Sequence, residues 1–376
     1  MHYHEFATQD ATLYQGPATS SQNTGLDEIL EIRKDMNDTG TQINVSRTLI
    51  KFDISYISSS YSSGLIPTNA EYYLNLYDAN SQELGSSDML YAYPVSQSWE
   101  NGQGHFEDWP HDTEGVSWKY RTGTTTADQW VTGSNSSQTW FSGIGNEHSL
   151  EASQSFTNEA SDVRMNVTGI VNNWIVSSSS YPNEGFMVKR SGSFDPSSST
   201  ALPESNTTQL GHFKFFSRET HTIYQPTLEV VWNSATWDTG SLTPLTGSAL
   251  HNVEMYMRGI RPEYQEDEKV RFRVIGRDRY PAKTWSSTTT NTITIQYLPS
   301  GSTFFQIRDA YTEDVIIPYG SGSLIGCDTT GNFFDVWLKG FQPERNYKIN
   351  FKIASGSGVG EVVQIIDNDF EFRVVR

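Results

Sequence analysis

The densest group of residues that could do chemistry lies at 105–114, HFEDWPHDTE. Carboxylates and imidazoles this close together could hold a divalent cation, because calcium prefers oxygen ligands and zinc accepts histidine. The spacing does not match an EF-hand loop, so an acidic, solvated loop is the simpler interpretation. His2 and His4 form a second pair, but no third ligand follows them nearby. The sequence therefore predicts no metal site and no bound cofactor.

Five tryptophans stand in loop-like sequence, at Trp99, Trp109, Trp118, Trp130 and Trp140. An exposed indole ring can stack on a sugar ring, and nearby Asn, Gln and Asp side chains can bond the hydroxyls. Trp109, Trp130 and Trp140 are candidates for glycan contact or for a subunit interface, where large aromatics are enriched.

Six arginines gather in the second half of the chain, at Arg258, Arg261, Arg271, Arg273, Arg277 and Arg279. Arg271 and Arg273 are two residues apart and would share one face of a strand. Arginine is favoured at protein interfaces and pairs bidentately with carboxylates. We expect docking to an acidic partner or a neighbouring copy, with a solvated sheet face as the alternative. The candidate interface residues are Arg258, Arg271, Arg273 and Arg277.

Several enzyme classes lack sequence support. There is no P-loop, no G-x-S-x-G motif and no G-x-G-x-x-G motif before a helix, which argues against nucleotide and α/β-hydrolase chemistry. Paired carboxylates for glycoside hydrolysis stay open, because their separation is spatial and 44 acidic residues always offer pairs. The single Cys327 allows neither an intrachain disulfide nor a cysteine zinc cluster, and a structural thiol is expected there. We expect no catalytic activity.

The charge of the chain is uneven. The net charge is −18, and residues 1–235 hold 11 Lys and Arg against 27 Asp and Glu, whereas residues 236–376 hold 15 against 17. An acidic first half repels phosphates, so no nucleic-acid partner is expected. No stretch reaches 18 apolar residues and the N-terminus lacks the apolar core of a signal peptide, so we expect neither a membrane span nor secretion by that route.

Two strand-like segments frame the first half: residues 47–54, RTLIKFDI, and residues 226–232, PTLEVVW. Their alternation of apolar and polar positions predicts strands with one buried face. Residues 70–77, AEYYLNLY, repeat the pattern, and residues 162–176 predict a strand that runs into one short helix. The serine-rich residues 58–67 predict a loop. Together these elements predict a β-sandwich.

The second half predicts a smaller β-domain. Turn residues separate its strand-like segments at intervals of about 10–15 residues. Residues 234–249, SATWDTGSLTPLTGSA, have the composition of a linker. The predicted domains are therefore 1–233 and 250–376. The predicted strands of the second domain are 253–264, 269–281, 291–298, 303–309, 314–319, 333–340, 346–354 and 369–376.

Four short motifs follow one another in the first half. Arg47–Ile54 fits the strand pattern R-x-L-[LI]-x-F-[DN]-[IL]. Ile66–Leu76 fits a strand of the I-x-x-A-x-L-x-L type. Trp99–Gly102 is a W-[DE]-[EN]-G turn, and Gly115–Trp118 is a G-V-[ST]-W turn. Each motif is weak by itself, and their order is what is specific.

Three further segments continue that order. Asp162–Trp174 meets a D-[VI]-T-x-x-V-x-x-W block in looser form, Glu184–Phe186 supplies a glycine strand, and Ser217–Val230 fits the S-x-E…P-x-L-x-[VI] end. Over about 230 residues the chain thus resembles the DNRLRE domain. The resemblance implies a jelly-roll-like β-sandwich, found in surface, secreted and phage structural proteins, and it implies no catalysis. It also implies that Trp99 and Trp118 anchor loops on the sandwich.

The second half resembles the C-terminal module of virion structural proteins from T4-like phages of marine cyanobacteria. The matching segments are 276–285, 297–318, 327–338 and 343–352. The two resemblances imply a structural protein of a tailed-phage virion, in the neck, collar, tail or baseplate, assembled in the host cytoplasm. Its expected partners are other virion proteins and copies of itself. A carbohydrate-binding adhesin that contacts the host surface is the alternative.

Overall fold

The computed structural model describes residues 1–36, 42–85, 88–130, 139–141, 144–145, 148–157, 162–190, 209–245, 253–280, 295–355 and 362–376. Strands make up 48% and helices 8%, which confirms the predicted all-β class. The chain divides into two compact units. The N-terminal unit is His4–Val230, and the C-terminal unit is Val231–Arg376 together with Met1–Tyr3.

The first twelve strands, most of which belong to the N-terminal unit, follow the alternating segments of the sequence. They are β1 His2–Tyr14, β2 Ile29–Met36, β3 Gln42–Phe52, β4 Glu71–Leu76, β5 Asp88–Pro94, β6 Ile144–Gly145, β7 His148–Ser149, β8 Ala152–Phe156, β9 Val163–Asn166, β10 Phe186–Lys189, β11 Leu210–Phe216 and β12 Thr227–Val231. Ten of them form one sheet with the order β8-β5-β10-β3-β1-β12-β4-β9, and β2 joins β3 to β11.

The two end strands of this sheet approach each other. The side-chain amide of Gln154 on β8 donates to the carbonyl of Asp162 at 2.9 Å. Its oxygen accepts the N–H of Arg164 on β9 at 2.8 Å. One side chain thus bridges the first and last strands, and the sheet nearly closes on itself.

Strand β12 lies between β1 and β4 in this sheet, and all five of its residues are buried. The prediction of a single buried face is therefore wrong for PTLEVVW. Glu229 is the polar residue that made this strand look half exposed. Its carboxylate is buried and accepts the Nε–H of Arg164 at 3.0 Å, which satisfies the charge inside the unit.

Two helices accompany the sheet. Helix α2, Thr168–Val176, follows β9 and confirms the predicted strand and helix at 162–176. Helix α1, Ser55–Ser62, contradicts the predicted loop over residues 58–62. Its serine hydroxyls donate hydrogen bonds to carbonyls of the preceding turn; Ser62 Oγ, for example, donates to Ser58 O at 2.9 Å. Ile57 of this helix is buried. Among the described residues, no helix has the length and apolar character to cross a membrane.

The C-terminal unit is a β-sandwich. Its strands are β13 Thr243–Pro244, β14 Val253–Arg258, β15 Glu263–Gln265, β16 Lys269–Asp278, β17 Gln296–Tyr297, β18 Thr303–Asp309, β19 Val315–Ile317, β20 Gly326–Asp328, β21 Gly331–Trp337, β22 Arg345–Ser355 and β23 Val362–Val375. One sheet has the order β13-β17-β16-β21-β20 with β14 on β16, and the other has the order β15-β23-β22-β18-β19.

Aromatic rings from both sheets fill the core between them. Phe305 of β18 stacks on Phe334 of β21 with ring centroids 4.2 Å apart. Phe272 of β16 packs against Phe372 of β23 at 5.5 Å. Because these pairs join the two sheets, they fix the sandwich of this unit.

Residues 234–245, which have linker composition, form part of the C-terminal unit. The N–H of Asp238 donates to the carbonyl of Cys327 at 2.9 Å. Strand β13 pairs in parallel with β17. The rest of the composition-based linker, residues 246–249, lies outside the described residues, as do residues 291–294 of one predicted strand.

Candidate functional site

Asn23 organises the loops that follow β5. Its buried side-chain amide donates to the carbonyls of Asn101 at 2.7 Å and Val116 at 2.8 Å. Its oxygen accepts the N–H groups of Gly104 at 2.8 Å and Gly25 at 3.2 Å. One side chain thereby joins both turn motifs, and each of its hydrogen-bonding positions is used.

The glycines of these turns are required by space as well as by backbone angle. Gly102 has φ +79°, and a Cβ at this position would lie 2.4 Å from the Asn23 amide. Gly115 has φ +108°, and its Cβ would lie 2.5 Å from the Cα of Gly102. The W-E-N-G and G-V-S-W motifs therefore share a structural cause: two backbone segments close around one buried asparagine.

Trp109 projects from a loop, His105–Asp112, that neighbouring residues hold in place. We call this the Trp109 loop. The Gln22 amide donates to the carbonyl of Phe106 at 2.6 Å, and the N–H of Phe106 donates to Asp27 Oδ1 at 2.9 Å. Trp109 is 87% exposed, and its ring meets that of His111 edge-on. The loop thus displays a large aromatic ring on an anchored backbone.

A groove of about 670 Å³ runs along the first part of this loop. Its walls combine rings and carboxylates. The hydroxyl of Tyr14 donates to Glu31 Oε2 at 3.0 Å, and the Arg33 guanidinium lies 5.3 Å from the Tyr14 ring. Burial raises the pKa of Asp27 to about 6, and the N–H of Phe106 opposes that shift. The lining residues are Tyr14, Asp27, Glu28, Ile29, Glu31, Arg33, His105, Phe106, Glu107 and Asp108.

A second groove of about 620 Å³ includes Asp112, at the far end of the Trp109 loop. It is lined mainly by carboxylates, threonines and glycines. The Thr125 hydroxyl donates to Asp128 Oδ2 at 2.6 Å, and this bond is the main cause that lowers the pKa of Asp128. Trp109 therefore stands in sequence between residues that line two acidic grooves.

This arrangement has the chemistry of a sugar contact. An exposed indole offers an apolar face to a pyranose ring, and carboxylates accept hydrogen bonds from hydroxyls. In the described part of the chain, no group of three or more His, Cys, Asp or Glu side chains is placed to hold a metal ion. His2 and His4 are both buried.

Trp130 and Trp140 lie in the core, away from the surface position that the glycan hypothesis requires. The ring N–H of Trp130 donates to the carbonyl of Ser117 at 2.9 Å. The centre of the Trp140 ring lies 5.0 Å from the Arg47 guanidinium and 4.5 Å from Lys189 Nζ. Both indoles are buried, so of the three candidates only Trp109 exposes its ring to solvent.

The candidate arginines divide in a similar way. Arg271 on β16 lies opposite Asp335 on β21 and binds it through two nitrogens, at 2.7 and 2.9 Å. Arg273 binds Asp328 at 2.6 Å and Thr330 at 2.8 Å. These guanidiniums bridge strands of their own sheet. Arg258 is exposed at the end of β14, and Arg277 is half-buried with its guanidinium on the carbonyl of Asp278 at 3.2 Å.

The C-terminal unit exposes apolar side chains at the start of β23. Val362 is 59% exposed, Val363 is 44% exposed and Ile365 is 61% exposed. We call residues 362–366, VVQII, the β23 edge segment. Sequence reasoning missed it because the predicted strand began at residue 369. Four β-branched residues in five, without a charge, were the signal that could have revealed it.

Sequence reasoning also missed Gln22, Asn23 and Asp27, which position the Trp109 loop. They lie in a polar stretch between strands, and their partners are 78 or more residues away. Cys327 has the expected character of a structural thiol, since it is buried and burial raises its pKa to about 11.

Comparison with protein-family models gave no match, and comparison with curated proteins gave none. Among solved structures, the chain aligns with the crystal structure of a DUF4785 family protein from Legionella pneumophila, at 9% identity and a TM-score of 0.18. The alignment covers 96% of this chain and 68% of that chain. A score this low carries no argument about fold or function, so the DNRLRE and phage resemblances stay predictions from motif order.

Proposed function

We propose that this chain is a structural protein of a tailed-phage virion, in the neck, collar, tail or baseplate, that acts by assembly with other virion proteins and copies of itself. The observation that carries the proposal is the β23 edge segment. It exposes three apolar side chains close together on one strand, beside a core that aromatic rings fill. Exposed apolar strands of this kind favour protein–protein contact.

The charge distribution supports different roles for the two units. The N-terminal unit carries 11 basic and 27 acidic residues, whereas the C-terminal unit carries 15 and 17. Strong acidity keeps the N-terminal units of neighbouring copies soluble and apart. The nearly neutral C-terminal unit can approach a partner at little electrostatic cost. We therefore assign docking to the C-terminal unit and display to the N-terminal unit, with no catalytic turnover.

The test is quantitative mass spectrometry of gradient-purified particles from a lysed host that carries the gene. The chain should co-purify with the particles in several copies each, relative to a portal or capsid protein. Recovery only in the soluble fraction of the lysate contradicts the proposal. Gene neighbours that encode portal, sheath or baseplate proteins would add independent support.

A second candidate function is glycan binding at the host surface, and the Trp109 loop favours it. Its exposed indole can stack on a sugar ring, and the carboxylates of the two acidic grooves can accept hydrogen bonds from sugar hydroxyls. The experiment is a glycan array with the full chain, its Trp109→Ala variant and the control Tyr311→Ala. Tyr311 is 92% exposed, so both variants remove a displayed aromatic ring.

Saturable binding that Trp109→Ala removes and Tyr311→Ala leaves unchanged supports the glycan site. Binding that neither variant changes, or no binding at all, refutes it. Release of reducing sugar from host envelope would point instead to hydrolysis by a carboxylate pair.

A further inference from the structure

Along the β23 edge segment, one side of the strand pairs with no described strand. On its other side β22 pairs with it, from Ser355 opposite Val362 to Phe351 opposite Ile366. On the open side β15 covers only the far end of β23, where it pairs with residues 373–375. The amide of Asn368 reaches the carbonyl of Met255 at 3.0 Å and marks where the open stretch ends.

Within residues 362–366 the strand lacks the features that usually protect a sheet edge, and the irregularity of the β22–β23 ladder begins only after Ile366. Natural edge strands carry charges, prolines or bulges that prevent pairing with another chain. Residues 362–366 carry no charge and no proline, and their β-branched side chains favour an extended strand. Val363 and Ile365 point to the face that holds Lys352 and Phe304, outside the core. The β23 edge segment therefore combines an open strand edge with exposed apolar side chains, and both could contact another chain.

The charges that follow the segment are partly balanced. Lys348 lies 3.0 Å from Asp367 and 3.0 Å from Asp369, the two acidic residues that follow the segment. This removes much of the repulsion that two acidic strands would meet at a shared edge. The N-terminal unit, with 27 acidic against 11 basic residues, would repel another copy of itself, so the nearly neutral C-terminal unit is where two copies can meet.

We infer that the β23 edge segment pairs with the same segment of a second copy of this chain, antiparallel and around a twofold axis. A twofold axis brings identical edges together in antiparallel order, and an uncharged edge is compatible with itself in that order. Val363 and Ile365 of each copy then pack beside those of the other. The inference rests on the proposed function in naming the surface through which copies would assemble.

The test is sedimentation velocity of the full chain, with Ile365→Lys and the control Val315→Lys. Val315 is 45% exposed on β19, at the opposite edge of the same sheet. We expect a wild-type dimer and a Kd at least about tenfold weaker for Ile365→Lys, because two lysines then lie on the same face of the shared ladder in place of apolar side chains. Val315→Lys should leave the dimer unchanged. A monomeric wild type, or equal behaviour of the two variants, overturns the inference.

A second measurement does not depend on charge or on the stability of a lysine variant. Gln364→Cys places a thiol within the segment, and the native Cys327 is buried. Mild oxidation should link Gln364→Cys into a covalent dimer and leave Val315→Cys monomeric. Equal or absent linking of both variants contradicts the inference.

The outcomes separate this inference from the proposed function. If the chain is absent from particles but dimerises through the segment, the virion proposal fails and the edge contact stands. If the chain is in particles, wild type is monomeric in solution and Ile365→Lys is not incorporated, then the segment receives a different virion protein. That last result overturns pairing with a second copy.

Discussion

Asp10 on β1 should make the folded N-terminal unit less stable as the pH rises. The side chain is 1% exposed, and one of its oxygens accepts the N–H of Arg218 at 2.6 Å. Burial raises the pKa of this carboxyl to about 7, against an ordinary value of 3.8. The folded state thus binds the proton more tightly than the unfolded chain does.

The direction and size of the effect follow from this difference. Below about pH 4 the carboxyl is protonated in both states and costs nothing. Between about pH 4 and pH 7 the unfolded chain loses its proton while the folded protein keeps it, so the free energy of unfolding falls as the pH rises. A shift of about three units corresponds to about 4 kcal/mol, taken as an upper limit.

The assay is urea unfolding of the full chain and its Asp10→Asn variant at pH 5 and pH 8. Asparagine cannot ionise, so the variant lacks this contribution, and other titrating groups cancel in the comparison. From pH 5 to pH 8 the variant should gain about 2–3 kcal/mol relative to wild type. Glu107→Gln changes an exposed carboxylate and should alter stability by less than about 0.5 kcal/mol at either pH. A difference between Asp10→Asn and wild type that is equal at both pH values refutes the reasoning.

Two further changes, each with a control substitution, test buried contacts of the N-terminal unit. Gly102→Ala should destabilise the N-terminal unit by about 2–4 kcal/mol, because it adds a clash with Asn23 to a left-handed backbone. The control Gly64→Ala, at φ +78°, meets nothing within 4 Å and should cost about 1 kcal/mol. Equal unfolding midpoints of the two variants in urea would contradict this. Arg190→Met should cost about 3 kcal/mol or more, since it leaves the carboxylate of Asp88, 2.7 Å from the guanidinium, inside the protein. Arg271→Ala removes an exposed partner of Asp335 and should cost less than about 1 kcal/mol, so similar losses for the two arginines would refute the distinction.

The regular parts of this fold could be predicted because their signals are local. The alternation in AEYYLNLY gave β4, and the change of period at 162–176 gave β9 and α2. Helix α1 was hidden because serine is typical of loops, and here hydroxyls bonded to the preceding turn and the buried Ile57 stabilise a helix instead.

The site itself depended on contacts that a local pattern cannot reveal. Asn23 joins two turns that lie 78 and 93 residues further along the chain. The tryptophans show the same limit, because Trp109, Trp130 and Trp140 look alike in sequence and only the partners of their rings separate them. Likewise, Arg271 binds a residue of its own sheet because Asp335 lies opposite it on β21.

Immunogold electron microscopy tests most directly whether the chain is a structural protein of a virion. Antibody against the full chain is applied to purified particles, and the control is the same antibody blocked with excess protein. We expect gold at one fixed position on the neck, collar, tail or baseplate of most particles. Particles without label, in preparations where the antibody detects the free protein, would contradict it.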